Sequence, residues 1–238
     1  MAENKRITLI LPVYKPSVKW DITIIERYKE LQEETNTPLN IVIVNDGSAG
    51  ETYKHGKAVL QSALPQINFI ENEINHGKGY ALRCGVTKTE ADIYVLTDID
   101  LPYTCGSMKK LIDELSAGAD IVIGNRDSSY YQKVSGFRSL LSKSLRFFIR
   151  NTLKIPFDDT QCGLKGFNRK GKEIFIKTTI NRYLFDMEFI MKAVRNKTIQ
   201  IKAVPVYLRP GIHLSKMPFK ILLHESGNFI KLLINQRK

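Results

Sequence analysis

Short apolar runs alternate with longer helix-like segments over roughly the first hundred residues, and this alternation constrains the fold more than any other feature. The runs are rich in β-branched and aliphatic residues, whereas the segments between them place apolar residues with a helical period. Such alternation is typical of a mostly parallel sheet that is covered by helices on both faces. The predicted strands are 6–13, 40–44, 67–71 and 92–97, and the predicted helices are 18–35, 51–62 and 78–87.

The regular alternation ends near residue 98, and the second half of the chain has a mixed α+β character. A length of 238 residues is compatible with one domain. We predict one domain over residues 1–214, followed over residues 215–238 by an amphipathic helix that packs on the domain or on a membrane surface. The predicted strands of the second half are 120–124, 164–168 and 199–207, and the predicted helices are 107–116, 135–154 and 186–196.

Lysine and arginine number 36 against 24 aspartate and glutamate residues, which gives a net charge of +12. This charge favours anionic partners such as phosphates, nucleic acid or an acidic membrane leaflet. The basic residues form no uninterrupted stripe with stacking aromatics, so we expect no nucleic-acid partner. Three cysteines without metal-ligand spacing argue against a disulfide framework and favour a cytoplasmic location. No run approaches the roughly 18 apolar residues of a transmembrane helix.

Polar residues follow the predicted strands, at the positions where an open α/β sheet binds its ligands. The turn after the first strand lacks the glycines of a dinucleotide-binding loop, and the later Gly77-Lys78-Gly79 does not fit a Walker A loop. These two phosphate-binding classes are therefore excluded. The polar strand ends are 14–15, 45–48, 72–78, 98–100 and 125–127.

Asp98 and Asp100 follow the fourth predicted strand with one residue between them. Paired carboxylates are hard oxygen ligands that can hold Mg²⁺ or Mn²⁺ against a diphosphate. A solvated turn is the alternative interpretation, because a single Asp-x-Asp is a weak signal. Its position after an apolar strand, downstream of a second acidic strand end at Asp46, favours the metal site.

Six short motifs occur in one order along the chain. The motifs are Pro12-Val13-Tyr14, Val44-Asn45-Asp46-Gly47-Ser48, Asn75-His76-Gly77-Lys78-Gly79 with Arg83, Asp98-Ile99-Asp100, Gly124-Asn125-Arg126 and Asp159-Thr160-Gln161-Cys162-Gly163. In this order they resemble those of the family 2 glycosyltransferases with a GT-A fold, and most of all the branch of dolichyl-phosphate mannose and glucose synthases and their bacterial polyprenyl-phosphate relatives. The resemblance covers roughly residues 6–210.

This resemblance implies an α/β fold, with a Rossmann-like, mostly parallel sheet flanked by helices and a small mixed C-terminal part. It also implies an inverting, Mg²⁺- or Mn²⁺-dependent transfer of a sugar from a UDP- or GDP-linked donor to a dolichyl or undecaprenyl phosphate. Asp98 and Asp100 would bind the metal, and Asp100 and Asp159 would be the catalytic residues. Asp46 would hydrogen-bond the nucleobase, with an Asp-Gly turn as the alternative. The implied nucleotide-binding residues are Pro12, Tyr14, Asp46, Asn75, Gly77, Lys78, Arg83 and Asp98.

A phosphate acceptor requires cations, and the planar fork of arginine can donate two hydrogen bonds to it at once. Because a phosphate monoester is already anionic, Asp159 need only orient it or balance charge. For Arg138 and Arg209 a plain surface role is an equally good interpretation. The acceptor residues implied by the resemblance are Arg126, Arg138, Gln161 and Arg209.

Residues 137–154 and 219–234 combine apolar positions at helical spacing with lysines and arginines. Such helices suit an anionic membrane surface, so the chain is expected to lie peripherally at the inner membrane face, although packing on the core is the commoner use of such a stripe.

Two alternatives to this function stay open at this stage. One is transfer to a sugar hydroxyl on a glycan or small molecule, and the other is a nucleotide-sugar binding module without catalysis. Lys15-Pro16 and Pro102 depart from the family pattern and are the reason that the second alternative stays open. Neither the oligomeric state nor the sugar is indicated.

Overall fold

The computed structural model of the chain describes residues 5–126, 155–157 and 159–212. The predicted helix 135–154, the C-terminal helix 215–238 and Arg138 lie outside the described residues. None of the helices that the structure describes is both long enough and apolar enough to cross a bilayer.

A single mixed sheet organises the described residues. Its strands lie in the order β3-β2-β1-β4-β6-β5-β7. The pairs β1–β2, β2–β3, β1–β4 and β5–β7 are parallel, whereas β6 is antiparallel to both β4 and β5. The mostly parallel α/β fold predicted from the alternation, with its mixed second half, is therefore confirmed. The strands are β1 (Ile7–Val13), β2 (Leu39–Asp46), β3 (Ile67–Asn72), β4 (Ile93–Leu96), β5 (Ile121–Arg126), β6 (Lys165–Phe167) and β7 (Ile201–Val206).

Helices cover both faces of this sheet. Successive residues of a strand point to opposite faces, so Leu9 and Leu11 join the cluster beneath α1, α2 and α4, while Ile10 joins the cluster beneath α3 and α6. The helices are α1 (Trp20–Thr35), α2 (Glu51–Ala63), α3 (Lys78–Lys88), α4 (Cys105–Ser116), α5 (Arg169–Phe175) and α6 (Phe185–Arg195).

The short helix α5 was not predicted from the sequence. Its start is fixed by Asn168, whose Oδ1 accepts hydrogen bonds from the backbone N–H groups of Lys170 at 2.9 Å and Gly171 at 3.2 Å. An asparagine at this position satisfies donors that the first turn leaves free. Asn168 was therefore a usable sequence signal for the start of α5. The helix itself has seven residues, which are too few to show a helical period.

The strand order reverses between β1 and β4, since β2 and β3 lie on one side of β1 and β4 lies on the other. Crossovers on either side of such a point leave a crevice at the carboxyl ends of the strands, where open α/β sheets bind ligands. The polar strand ends predicted from the sequence flank this crevice.

Candidate active site

Asp98, just beyond β4, and Lys78, at the start of α3, form the centre of the site. Lys78 Nζ lies 2.5 Å from Asp98 Oδ1, and the Asp98 side chain is 42% exposed, so it also faces solvent. Burial lowers the pKa of Lys78, but the negative charges of Asp98 and Asp186 raise it by more, so the pKa lies above its usual value. A protonated Lys78 is therefore held beside the first carboxylate of the Asp-x-Asp.

Asp100 carries the second carboxylate. Burial of its carboxyl group and the negative charge of Asp98 raise the pKa of Asp100, while Arg209 and Lys78 oppose the rise. A cation bound beside Asp100 would oppose this rise, because an opposite charge favours the ionised carboxylate.

The donor chemistry of this pair fits a hard divalent cation. Magnesium is usually bound through one or two carboxylates together with phosphate oxygens and water, so two protein ligands are sufficient. The described residues contain no group of three or more His, Cys, Asp or Glu side chains placed to hold a metal ion. A metal at Asp98 and Asp100 would thus take its remaining ligands from the donor diphosphate and water.

The segment 159–163 packs directly against Asp98. A Cβ added at Gly163 would lie 2.6 Å from Asp98 Oδ2, so any larger residue here would require the Asp98 carboxylate to shift. The Gly163 N–H donates a hydrogen bond of 3.0 Å to the hydroxyl of buried Tyr103, and Cys162 Sγ lies 3.3 Å from the same hydroxyl. The most distinctive motif of the sequence therefore meets the Asp-x-Asp in space.

Arg126 and Asp159, predicted to serve acceptor binding and catalysis, bind each other. Arg126 Nε and Nη2 each lie 2.6 Å from one oxygen of the Asp159 carboxylate, and the Arg126 backbone N–H donates to the same group at 3.1 Å. The Asp159 side chain is only 4% exposed. Such a two-pronged ion pair fixes the guanidinium plane as well as its charge.

Arg209 lies over the backbone of the Asp-x-Asp turn. Its Nη2 donates to the Asp100 carbonyl at 3.1 Å and its Nε to the Leu101 carbonyl at 3.3 Å. The Arg209 N–H donates to the Pro102 carbonyl at 2.9 Å, which ties the end of β7 to this turn. The guanidinium is thereby held beside Asp100. Gln161, the remaining described residue predicted to bind the acceptor, is exposed on the 159–163 segment.

Asp46, predicted to contact the nucleobase, is 2% exposed and binds the turn after β3. Its carboxylate accepts hydrogen bonds from Asn75 Nδ2 at 2.9 Å, His76 N at 3.0 Å and Gly77 N at 2.8 Å. Both oxygens are engaged, so the carboxylate fixes the 75–77 turn. Tyr14, at the end of β1, is 47% exposed and presents its ring to solvent on the same edge, where Pro12 is half-buried.

The loop 178–181 packs on the start of α3. A Cβ at Gly77, whose φ is +105°, would lie 2.6 Å from the Asn181 carbonyl oxygen, so this glycine is required by the loop as well as by its backbone angle. Arg83 donates to the Ile180 carbonyl at 2.7 Å and to Thr178 Oγ1 at 3.2 Å, and also binds the Asn181 side chain. The guanidinium of Arg83 therefore holds this loop.

Two further sets of residues were not assigned from the sequence. Glu188, on α6, accepts the backbone N–H groups of Thr179 and Ile180, each at 2.8 Å, and so closes the other side of the loop. Lys165, at the start of β6, is buried and pairs with Asp186 at 2.8 Å. The pair of Lys165 and Asp186 had a signal in the sequence, namely a lysine inside a predicted strand. Nothing in the sequence links Glu188 to the 178–181 loop.

Comparison with known proteins shows which described family the chain resembles. Residues 8–175 match the model of the family described as glycosyl transferase family 2. A dolichyl-phosphate beta-glucosyltransferase of Trichomonas vaginalis is 28% identical, over 97% of this chain and 74% of the relative. A dolichyl-phosphate beta-glucosyltransferase of Saccharomyces cerevisiae is 26% identical, over 84% of this chain and 66% of the relative. A quarter to a third of each relative thus lies outside the similarity.

Solved structures share the fold at lower identity. Mannosyl-3-phosphoglycerate synthase from Rubrobacter xylanophilus has a TM-score of 0.70 and 16% identity, over 98% of this chain and 74% of that chain. A mannosyltransferase from Pyrobaculum calidifontis, solved in complex with GDP-Man and Mn²⁺, has a TM-score of 0.53 and 16% identity, over 85% of this chain and 55% of that chain. Both are glycosyltransferase structures, and the likeness concerns the fold.

Proposed function

Because the chain belongs to glycosyl transferase family 2, we propose that it transfers a sugar from a nucleoside diphosphate donor to a polyprenyl phosphate, with inversion at the anomeric carbon. The observation that carries the proposal is the meeting of the 159–163 segment with the Asp-x-Asp at the carboxyl edge of the sheet. Relatives named as dolichyl-phosphate glucosyltransferases support the lipid-phosphate acceptor.

The donor lies along the crevice between β1 and β4. Asp98 and Asp100 would hold Mg²⁺ or Mn²⁺, which neutralises and orients the departing diphosphate. Lys78, bound to Asp98, and Arg209, held beside Asp100, add two fixed positive charges at the Asp-x-Asp. Pro12 and Tyr14 border the nucleoside, and Asp46 supports it by fixing the turn that contains Asn75 and Gly77. Arg83 acts on the same side by holding the 178–181 loop.

The acceptor phosphate enters beside the 159–163 segment. Arg126 offers its guanidinium there, Asp159 keeps that guanidinium in one plane, and Gln161 is exposed to contact the incoming group. Arg138 is assigned to the same phosphate from the sequence alone. Because the phosphate oxygen is already anionic near neutral pH, the attack needs no strong general base, and a carboxylate engaged by arginine is sufficient.

A lipid acceptor brings the reaction to a membrane surface. The net charge of +12 favours an anionic leaflet, so we propose peripheral binding at the inner face of the membrane. Flotation with vesicles that contain phosphatidylglycerol should recover the chain at low salt, and vesicles of phosphatidylcholine alone should not. Equal recovery from both would contradict the electrostatic part of this proposal.

The function is tested by incubation with dolichyl or undecaprenyl phosphate, Mn²⁺ and a panel of UDP- and GDP-sugars, with the lipid product read by mass. The Asp100→Ala variant should lose at least about 100-fold in turnover, because it removes a ligand of the metal that stabilises the leaving group. Asp113→Ala is the matched control, since Asp113 forms only an exposed pair with Lys109 at 2.6 Å. Transfer to soluble sugars but to no lipid phosphate would refute the acceptor, and donor binding without any transfer would refute the enzyme.

A further inference from the structure

Lys165 is 1% exposed, less than any other charged residue in the described part of the chain. It is the first residue of β6, which pairs with β4 so that Lys165 lies opposite Leu96 at the site edge of the sheet. Burial of an ammonium group is unfavourable unless the charge is paired and hydrogen-bonded. Its position next to the reaction centre therefore calls for an explanation beyond packing.

Both partners of Lys165 belong to elements of the site. Its Nζ donates to the Cys162 carbonyl, within the 159–163 segment, and lies 2.8 Å from Asp186 Oδ1, on the first turn of α6. The Lys165 ammonium group thus joins the 159–163 segment to α6, the helix that follows the 178–181 loop.

The contact between Lys165 and Cys162 is linked to Asp98 through one further residue, Gly163. Gly163 follows Cys162 and lies so close to Asp98 that an added Cβ would stand 2.6 Å from Oδ2. Displacement of the Cys162 carbonyl would move Gly163 relative to this carboxylate. The hydrogen bond from Lys165 to the Cys162 carbonyl therefore helps to fix the distance between the 159–163 segment and the Asp98 carboxylate.

Asp186, the other partner of Lys165, is linked to Asp98 through the charge of Lys78. Asp186 is close enough to Lys78 for its negative charge to help raise the pKa of that lysine, and Lys78 binds Asp98 at 2.5 Å. Charges of alternating sign thus run from Lys165 through Asp186 and Lys78 to Asp98.

We propose that Lys165 and Asp186 are positioning residues for the transfer reaction: the pair holds the 159–163 segment and Lys78 in register around Asp98, so that acceptor and donor diphosphate meet in one geometry. This inference rests on the proposed function. Neither residue is assigned to contact a substrate; both act through the Cys162 carbonyl and through Lys78.

A charge-free double variant, Lys165→Met with Asp186→Leu, separates positioning from stability. Replacement of a buried ion pair by apolar residues of similar size often leaves stability unchanged, whereas removal of one partner leaves an unpaired buried charge. The control is Lys202→Met with Glu114→Leu, which removes an ion pair of 2.7 Å that is half-exposed and distant from the site. Thermal unfolding first verifies that both double variants are folded.

Two measurements then distinguish a positioning role of the Lys165–Asp186 pair from a purely structural one. Amide hydrogen exchange of residues 162–164 should accelerate about tenfold in the Lys165/Asp186 variant and remain unchanged in the control. Turnover with lipid phosphate should fall about 100-fold, as expected for a misplacement near 1 Å, while the dissociation constants of Mn²⁺–UDP and Mn²⁺–GDP stay within about threefold of wild type. Loss of turnover that merely follows weaker nucleotide binding would overturn the proposal.

Failure of this inference and failure of the proposed function give different results. Unchanged exchange, or wild-type turnover in the double variant, refutes positioning and leaves the transferase intact. If the wild-type chain glycosylates no lipid phosphate, the proposed function fails, and with it the role in transfer. The exchange measurement then still decides whether the pair holds the segment.

Discussion

Replacement of Gly163 by alanine should impair catalysis with little effect on the fold. The added Cβ would stand 2.6 Å from Asp98 Oδ2 and 3.4 Å from the Tyr103 hydroxyl. The second distance is an ordinary contact, so the Asp98 carboxylate is the group that must yield. It has to move by about 0.8 Å to bring the contact to 3.4 Å.

The size of the effect follows from that displacement. A misplacement near 1 Å in an active site can cost about 100-fold in rate, which corresponds to about 2.7 kcal/mol of transition-state stabilisation. Disturbance of a group that orients or supplies a metal ligand weakens metal binding by about 10- to 100-fold. We therefore expect turnover to fall about 100-fold and the half-saturating Mn²⁺ concentration to rise at least tenfold.

The matched control is Gly106→Ala. Gly106 lies in the first turn of α4, and an added Cβ there meets nothing within 4 Å. The same chemical change at this position should leave turnover unaltered and stabilise the fold by about 0.4–1 kcal/mol. Transfer is assayed by product mass over a Mn²⁺ titration, with thermal unfolding in parallel. Turnover and Mn²⁺ dependence of the Gly163 variant within twofold of wild type would refute the position assigned to Asp98 in the reaction.

Two further predictions concern groups outside the metal pair. Burial raises the pKa of Asp120, but hydrogen bonds from Gln200 and Asn168 lower it by more, so the pKa lies below the usual 3.8. The charged form therefore stabilises the fold above pH 3.8, and this contribution is lost as the pH falls through the lowered pKa. Asp120→Asn should reduce the unfolding free energy by about 1–3 kcal/mol at pH 7 and by progressively less below pH 4, as measured by urea denaturation; a difference independent of pH would contradict this. Arg83→Met should accelerate amide exchange across residues 178–181 while nucleotide affinity falls less than about tenfold; a larger loss of affinity with unchanged exchange would indicate direct contact with the nucleotide.

The strands and long helices of this fold were predictable because their signals are local. For example, β4 lies within the apolar run 92–97, and α1 lies within residues 18–35, where apolar residues recur with a helical period. Bounds differ by one or two residues, as expected where helix and strand ends fray. The antiparallel direction of β6 was not predictable, since three residues carry no information about the strand against which they pair.

The residues that lie at the carboxyl edge of the sheet were easier to predict than their partners. Asp98 and Lys78 lie at strand and helix ends, and the motifs that contain them are contiguous in sequence. The pairing of Arg126 with Asp159 joins residues 33 positions apart, and Arg83 binds a loop nearly 100 positions away. Such contacts depend on how segments pack in three dimensions, which neither periodicity nor motif order specifies.

The pairing of these charges bears on how the site could accept its proposed substrates. Three cationic side chains around the Asp-x-Asp are each already paired with a carboxylate of the site. A donor diphosphate adds about two negative charges and a phosphate monoester adds about 1.5 to 2 more. Neutralisation by the existing cations would require breaking pairs such as Arg126 with Asp159, which leaves a buried carboxylate alone at considerable cost. A divalent cation at the Asp-x-Asp would offset two of the incoming charges and leave those pairs intact, so the pairing of these charges supports the proposed metal dependence in addition to the motif. The three pairs are Lys78 with Asp98, Arg126 with Asp159 and Lys165 with Asp186.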